Sequence, residues 1–368
     1  MLEQKDKLKI GLIFTLDYEI HGNGSGEFRN WAYLPTGQML DLFDANGAKL
    51  TIMAEMGHYW AMKKYENLFR EDISLFESQL KNAIERGHDV QLHFHPQWID
   101  AKYEDGVWLL DFSLKTIDRL CQNYNEALFY LLKGKDELQK LIIPVNPEYE
   151  CVCFRSGFLQ MQPSENITTA LLDAGFISDS SVSKGMKFDN GLISIDYLSA
   201  CSSYRPWKIL NTDICKSDAA GKLIEFPILS TYSDIGDKII KRIGNLKSKK
   251  CIDELISAFM SLHSNWMMPD GPSFSFSDKL KQWVNKRWFY VDFCTRDYSI
   301  IIKELKKVIT ACKKEHLQSF LPIVLIGHSK DFFFANNLSA FLKACQDIEE
   351  VEFITYSGAV KKYVRDLN

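Results

Sequence analysis

The chain has 368 residues, 46% of them hydrophobic and 25% charged, enough to bury a large core in one barrel-sized domain or two smaller ones. Forty-four basic against forty-eight acidic side chains leave a formal charge of −4, so no basic field invites nucleic acid or an anionic membrane, and neither is an expected partner. Nine irregularly spaced cysteines suit a reducing compartment, and neither a signal peptide nor a membrane-spanning run of about 20 apolar residues is evident, so the expectation is a cytoplasmic protein.

In chain order, "LKIGLIFTLDYEI" reads as a strand, and "TGQMLDLFDANG" as a helix capped by Thr36 and closed by Gly47. "KLTIMAE" is a second strand, "ISLFESQLKNAIERG" a helix ending at Gly87, and "HDVQLHFHP" a third strand. After the helical "LKTIDRLCQNYNEALFYLL" come the strand "CVCFRSG", the helix "SENITTALLDAG" capped by Ser164, and the strands "FISDSSV" and "KLIEFPIL". A long helix near 297–315, the strand "PIVLIGH", the helix "NLSAFLKACQ", the strand "VEFITY" and a terminal helix complete the pattern. Cys151 and Cys153, one residue apart, fit strand alternation and a core role better than a zinc knuckle. About seven βα units predict an α/β fold, a parallel sheet closed or nearly closed into a barrel. It is expected to be one domain over 1–368, with insertions near 184–222 and 228–296.

Polar groups collect where the apolar runs stop. In "FTLDYEIHG", strand alternation puts Asp17, Glu19 and His21 on one face, a cluster of like charge that needs a partner. In "QLHFHP", the H-x-H spacing sends His93 and His95 to one face, where a carboxylate would complete three metal ligands and leave a place for water. His328 ends "PIVLIGH" in the same manner. Glu55 and His58 end the second strand, where a plain hydrogen-bonding role is as good a reading as a place in the site. His88, beside the helix-ending Gly87, reads as helix-terminal, and His21, His263 and His316 as structural or substrate-side. Among aromatic residues, Trp98 is the best candidate to offer a flat apolar face to a ligand, ahead of Trp31, Trp60 and Phe158.

These motifs, in this order, resemble the polysaccharide deacetylase family, the NodB-homology domain of carbohydrate esterase family four, in a cytosolic branch associated with surface-polysaccharide biosynthesis. "TLDYE" resembles its first motif, "GHDVQLHFHP" its histidine motif, "CFRSGF" its arginine motif, "GFISDSSV" the region of its fourth and "PIVLIGH" its last. The resemblance implies a distorted (β/α)7 barrel with a divalent metal, Zn first, with Co, Ni, Fe or Mn open, that removes N-acetyl or O-acetyl groups from sugars. Carried over, it implies Asp17 as general base, Glu19, His93 and His95 as metal ligands, and Arg155 holding Asp17 ionised. His328 becomes the general acid, with Asp179 to orient or charge it, and the backbone near Gly157 or Phe158 receives the oxyanion. Trp98 would meet the sugar.

Several features depart from the family pattern. Asp-Tyr-Glu replaces two adjacent aspartates, leaving open which carboxylate ligates, the histidines stand two rather than four apart, and "RSGF" lacks the usual proline and tyrosine. The expected substrate is an acetylated amino sugar, as a small molecule or lipid-linked, with N-deacetylation ahead of O-deacetylation. Two other readings are an allantoinase-like hydrolase of a small amide and a metal-free sugar-binding barrel.

Overall fold

Most of the long apolar runs are buried on both faces, which is the signature of parallel strands wrapped by helices. The computed structural model describes residues 7–191, 193–232, 288–317, 319–332 and 335–367. One sheet is built from β1 (Lys9–Tyr18), β2 (Leu50–Glu55), β3 (Asp89–Phe94), β4 (Cys153–Ser156) and β5 (Ser178–Asp179), then β6 (Trp207–Leu210), β7 (Asp213–Ser217), β8 (Ile224–Glu225), β9 (Phe320–His328) and β10 (Val351–Phe353). Their order is β7-β6-β8-β5-β4-β3-β2-β1-β9, with β10 also on β1. Neighbours from β8 to β9 run parallel, while β6 and β7 are antiparallel. Single parallel bridges from Ile228 to Val324 and from Asp292 to Ile326 lay further backbone against β9. The result is a curled, barrel-like α/β fold.

Residue parity divides the core. Odd positions of β1 face inward, where Ile13 joins Met53, Cys153, Phe226 and Val324 with Tyr356 of the terminal helix (Tyr356–Leu367). Even positions face the helices, and the Phe14 ring meets those of Phe43, Phe293 and Phe341 at 4.9, 5.3 and 5.6 Å. Cys151 and Cys153 are both buried and free. Gly47 and Gly87 follow their helices at φ of +59° and +77°, the left-handed closure their sequence positions imply.

Two caps differ from expectation. The first helix begins at Leu34, after a π turn over Arg29–Tyr33 and with Pro35 in its first turn, so Thr36 lies buried inside it rather than at its start. Ser164 does precede the helix Glu165–Asp173, but its hydroxyl donates to the Met161 carbonyl at 2.9 Å and accepts from the Ile214 amide at 3.1 Å, leaving the helix uncapped by that side chain.

Residues 184–222 hold a hairpin (Lys187–Asp189 with Ser194–Asp196) and the β6–β7 pair. Most of the stretch 228–296, including His263, lies outside the described residues. Backbone contacts separate a main unit, 1–230 with 290–368, from a smaller one, 231–289, in which the Tyr232 and Trp288 rings lie 3.7 Å apart. Among the described residues no helix is long and apolar enough to cross a membrane.

Candidate metal centre

Parallel register carries the inward-facing polar groups to the same end of adjacent strands, for Asp17 pairs with His328, and Glu55 with His93, which pairs with Arg155. Glu19 follows β1 directly, and His95 follows β3. Asp17, Glu19, Glu55, His93 and His95 are each at most 5% exposed. Charges so buried persist only if they answer one another.

Arg155, fully buried, answers Asp17. Its Nη1 donates to Asp17 Oδ1 at 2.7 Å and to Thr15 Oγ1 at 2.8 Å, and its Nε and Nη2 donate to the Ser180 carbonyl and hydroxyl. Burial alone would raise the Asp17 carboxyl, but the Arg155 guanidinium, helped by His93 and His328, outweighs it and holds the group below the ordinary carboxylate range.

Four donors converge beside this pair. One donor atom each from Glu19, Glu55, His93 and His95 lies within 4.8 Å of the others. Glu19 Oε2 is 3.3 Å from His93 Nε2 and 2.8 Å from His95 Nε2, while the Lys330 ammonium holds Glu19 Oε1. Burial opposes ionisation of Glu19, yet Lys330 and the two imidazoles keep its carboxyl well below the usual range. Glu55 divides its labour. Its Oε1 caps the helix Met56–Lys64 by accepting from the Gly57 amide at 2.7 Å and the His58 amide at 3.3 Å. Its Oε2 is buried without a hydrogen-bond partner among the described residues, 3.8 Å from His93 Nε2 and 4.0 Å from His95 Nε2.

These residues fit a divalent cation. Two imidazoles and two carboxylates are an accepted donor set for Zn²⁺ and several of its neighbours, and an orphaned buried carboxylate oxygen calls for a positive partner. His93 Nδ1 lies 2.9 Å from the Arg155 carbonyl, which can only accept, so its proton sits on Nδ1 and Nε2 is the coordinating nitrogen. Burial disfavours a charged His93, but Asp17, Glu19 and Glu55 carry its pKa up to about 9: the cluster holds more negative charge than its own cations offset. At His95, Gln97 Nε2 lies 3.1 Å from Nδ1 and donates to the Gly22 carbonyl at 3.2 Å.

Across the site, His328 Nε2 faces Asp17 Oδ2 at 3.7 Å, and its Nδ1 bonds Asp292 Oδ2 at 2.9 Å. Burial would lower this imidazole's pKa; Asp292, with Asp17, raises it instead. The carboxylate orienting His328 is therefore that of Asp292 and not of Asp179. Parity explains the difference, since Asp179 pairs in register with Phe154 and Glu225, on the face turned away from Arg155. There its carboxylate accepts from the Ser181 amide and hydroxyl at 2.8 and 2.9 Å. Ser180, the next residue, is the one that reaches Arg155.

Trp98 also departs from its expected role. It is 3% exposed, its ring packed 4.5 Å from His58 and 5.5 Å from Trp108, a core position with no sugar-facing surface to offer. Phe158 is the aromatic at the centre, edge-on to His95 at 4.6 Å and held at φ +56°. Gly157 allows that approach, because a Cβ there would lie 2.5 Å from His95 Cγ. Gly157→Ala is expected to displace His95 and lower affinity for Zn²⁺ by about 10–100-fold, as read by calorimetric titration. Unchanged affinity would show that His95 is not a ligand.

Glu55, weighed but not chosen from sequence, belongs to the centre, as do Lys330 and Asp292. The first ends an apolar strand and could have been picked by the same rule as Asp17. No motif announces the other two.

No family model matches the chain, and no curated protein matches it. Among solved structures, a protein of Mycobacterium smegmatis described as a polysaccharide deacetylase aligns over 99% of this chain and 93% of its own, with a TM-score of 0.50 at 13% identity. A protein of Pseudomonas aeruginosa PAO1 described in the same way covers 98% and 92% at TM-score 0.46 and 11% identity, and Puue allantoinase 97% and 91% at 0.46 and 11%. At 13% identity the first of these likenesses is one of fold.

Proposed function

We propose that this chain is a metal-dependent hydrolase that removes an N-acetyl group from an amino-sugar precursor, small or lipid-linked, on a distorted (β/α)7 barrel in the cytoplasm. One observation carries the reading: the buried Glu19, Glu55, His93 and His95 set, with Glu55 Oε2 unmet among the described residues, lies beside an Arg-held carboxylate that in turn faces an Asp-held imidazole.

Glu19, Glu55, His93 and His95 hold the divalent cation in this reading, and when bound it supplies Lewis-acid activation of water and of the acetyl carbonyl. Asp17, kept ionised by Arg155, accepts the proton of the attacking water. An amine is a poor leaving group until protonated, and His328, its pKa raised by Asp292 and its Nε2 3.7 Å from Asp17, delivers that proton to the amide nitrogen. The C–N bond breaks to give acetate and an ammonium-bearing sugar. In this reading Phe158, half-exposed against His95, bounds the acetyl group and the Gly157–Phe158 backbone serves as the oxyanion donor, which their packing on His95 supports.

The test is acetate release from N-acetylated sugar nucleotides by protein loaded with Zn²⁺, Co²⁺ or Mn²⁺. His328→Ala is expected to lower kcat by about 10²–10⁴-fold. Asp292→Asn removes the charge that raises the His328 pKa; the protonated acid is then lost at lower pH, and the alkaline limb of kcat moves down. An alkaline limb unmoved by Asp292→Asn would remove His328 from the acid role, and no release with any of the three ions would favour a sugar-binding barrel.

A further inference from the structure

The glycine-rich stretch "GNGSG" at 22–26, directly after the site strand, takes no part in the chemistry proposed above. It forms one wall of a cavity of about 660 Å³, whose other walls are the hairpin Lys102–Glu104 with Val107–Leu109 and the start of the helix Glu66–Glu85. Gly24 sits at φ +82°, and a Cβ there would come 2.8 Å from that of Trp108, so glycine lets the loop lie against the indole.

The lining combines three chemistries. Aromatic rings form a shelf: Phe69 stacks on Trp108 at 5.1 Å and Tyr103 meets it at 4.9 Å, with Phe69 and Tyr103 half-buried. Carboxylates crowd the rim, where Glu27, Glu71 and Asp72 outnumber Arg29, whose Nη1 is committed to Glu71 at 2.6 Å. Asp72 has no hydrogen-bond or ion-pair partner among the described residues, and burial together with Glu71 and Glu27 raises its pKa. The third element is His58, 4% exposed, whose ring nitrogens make no hydrogen bond to a described residue although the side chain lines the cavity. Its two ring nitrogens can offer a hydrogen-bond donor and an acceptor to a ligand in the cavity.

Excess carboxylate beside aromatic faces selects an ammonium, and an imidazole without a hydrogen bond to a described residue suits a hydroxyl. We propose that this cavity binds a saccharide carrying a free ammonium group, with the ammonium on Asp72 between Glu27 and Glu71, an apolar sugar face on Tyr103 and Phe69, and a hydroxyl at His58. The choice of an amino sugar rests on the deacetylase reading, because hydrolysis turns a neutral acetamide into this ammonium. The cavity and the metal centre share a wall: the His58 amide donates to Glu55 Oε1 at 3.3 Å. A chain end already deacetylated is thereby held beside the centre, while an acetylated one is not retained there.

The probes are the β-1,4-linked disaccharide of glucosamine and its di-N-acetyl counterpart, titrated calorimetrically into the full-length protein at low salt. Wild type is expected to bind the free amine at least about tenfold more tightly than the acetylated form, and Asp72→Asn and Glu27→Gln each to lose about tenfold, the scale of one charge-assisted hydrogen bond. Both side chains lie at the protein's surface or half-buried, and circular dichroism checks that the variants fold. The double variant His93→Ala, His95→Ala keeps this binding, since it removes only the metal centre. Asp72-dependent binding without acetate release would leave the cavity standing and the deacetylase reading fallen. Binding lost with the two histidines but kept in Asp72→Asn would place the amine at the metal centre and overturn the proposal. So would equal affinity for both disaccharides, spermidine bound as tightly as the glucosamine disaccharide, or no binding at all.

Discussion

Arg155→Met is expected to destabilise the protein by about 3–5 kcal/mol, read from urea unfolding, because it leaves a buried carboxylate without its counter-ion. The guanidinium is fully buried and satisfies Asp17, Thr15 and both oxygens of Ser180 at once. Removing it leaves Asp17, at 3% exposure, with burial unopposed by its main counter-charge, so the Asp17 pKa rises. Any residual activity should then lose its acid limb at higher pH than in wild type, the base being ionised only there. The double variant Arg155→Met, Asp17→Leu should recover most of the stability, since two apolar groups need no counter-ion, yet none of the activity. Asp17→Asn should fold and lose about 10²–10⁴-fold in kcat. A loss below about 1 kcal/mol in Arg155→Met would place the pair among weakly coupled ions and remove its claim to organise the site.

What was legible in the sequence follows from parity. On β1 and β3 the strands are long enough for alternation to be read, and Asp17, His93 and their neighbours face inward together as the spacing requires. Glu55 obeys the same rule, but from sequence a plain hydrogen-bonding role reads equally well, and its Oε1 does fill one at the start of the next helix. β5 is two residues long, and in "SDSSV" nothing local says whether the aspartate or the serine after it points inward. Its neighbour Phe154, facing the helices, decides the matter, and that is a tertiary fact.

Asp292 was illegible for a different reason. It enters the sheet through a single bridge to Ile326, preceded by a long stretch with no strand rhythm, so no period marks it. Lys330 follows His328 by two residues as Glu19 follows Asp17, and since Asp17 and His328 pair on adjacent strands the contact continues that register, a pairing of distant strands that no local motif announces. Trp98 was misread because aromatic surface near a site suggests stacking, whereas the His58 and Trp108 rings already use it. The fold class needed only the rhythm of apolar runs; the acid's partner needed the three-dimensional closure of the sheet.

Wild-type protein is expected to bind about one divalent ion per chain, and the double variant His93→Ala, His95→Ala none, by elemental analysis after incubation with Zn²⁺. Glu55→Gln is the more discriminating change. Glutamine keeps an oxygen for the Gly57 amide but loses the carboxylate Oε2 that lacks a partner among the described residues, so helix capping survives while a ligand disappears. Burial raises the Glu55 pKa, and a bound cation would hold the group ionised. If Glu55 ligates, Zn²⁺ affinity falls by about 100-fold or more and hydrolysis falls with it. If Glu55 only caps the helix, affinity stays and the centre has three protein ligands. The protonation of His93 adds a second readout. Its pKa of about 9 means that at pH 7 a proton occupies the nitrogen a cation needs, so uptake must release that proton and affinity must rise with pH until the imidazole is neutral. Titrations in buffers of different ionisation enthalpy measure the release directly. An affinity independent of pH between 6 and 9 would mean that His93 does not surrender a proton to the ion, and the Nε2 nitrogen would have to be struck from the ligand set.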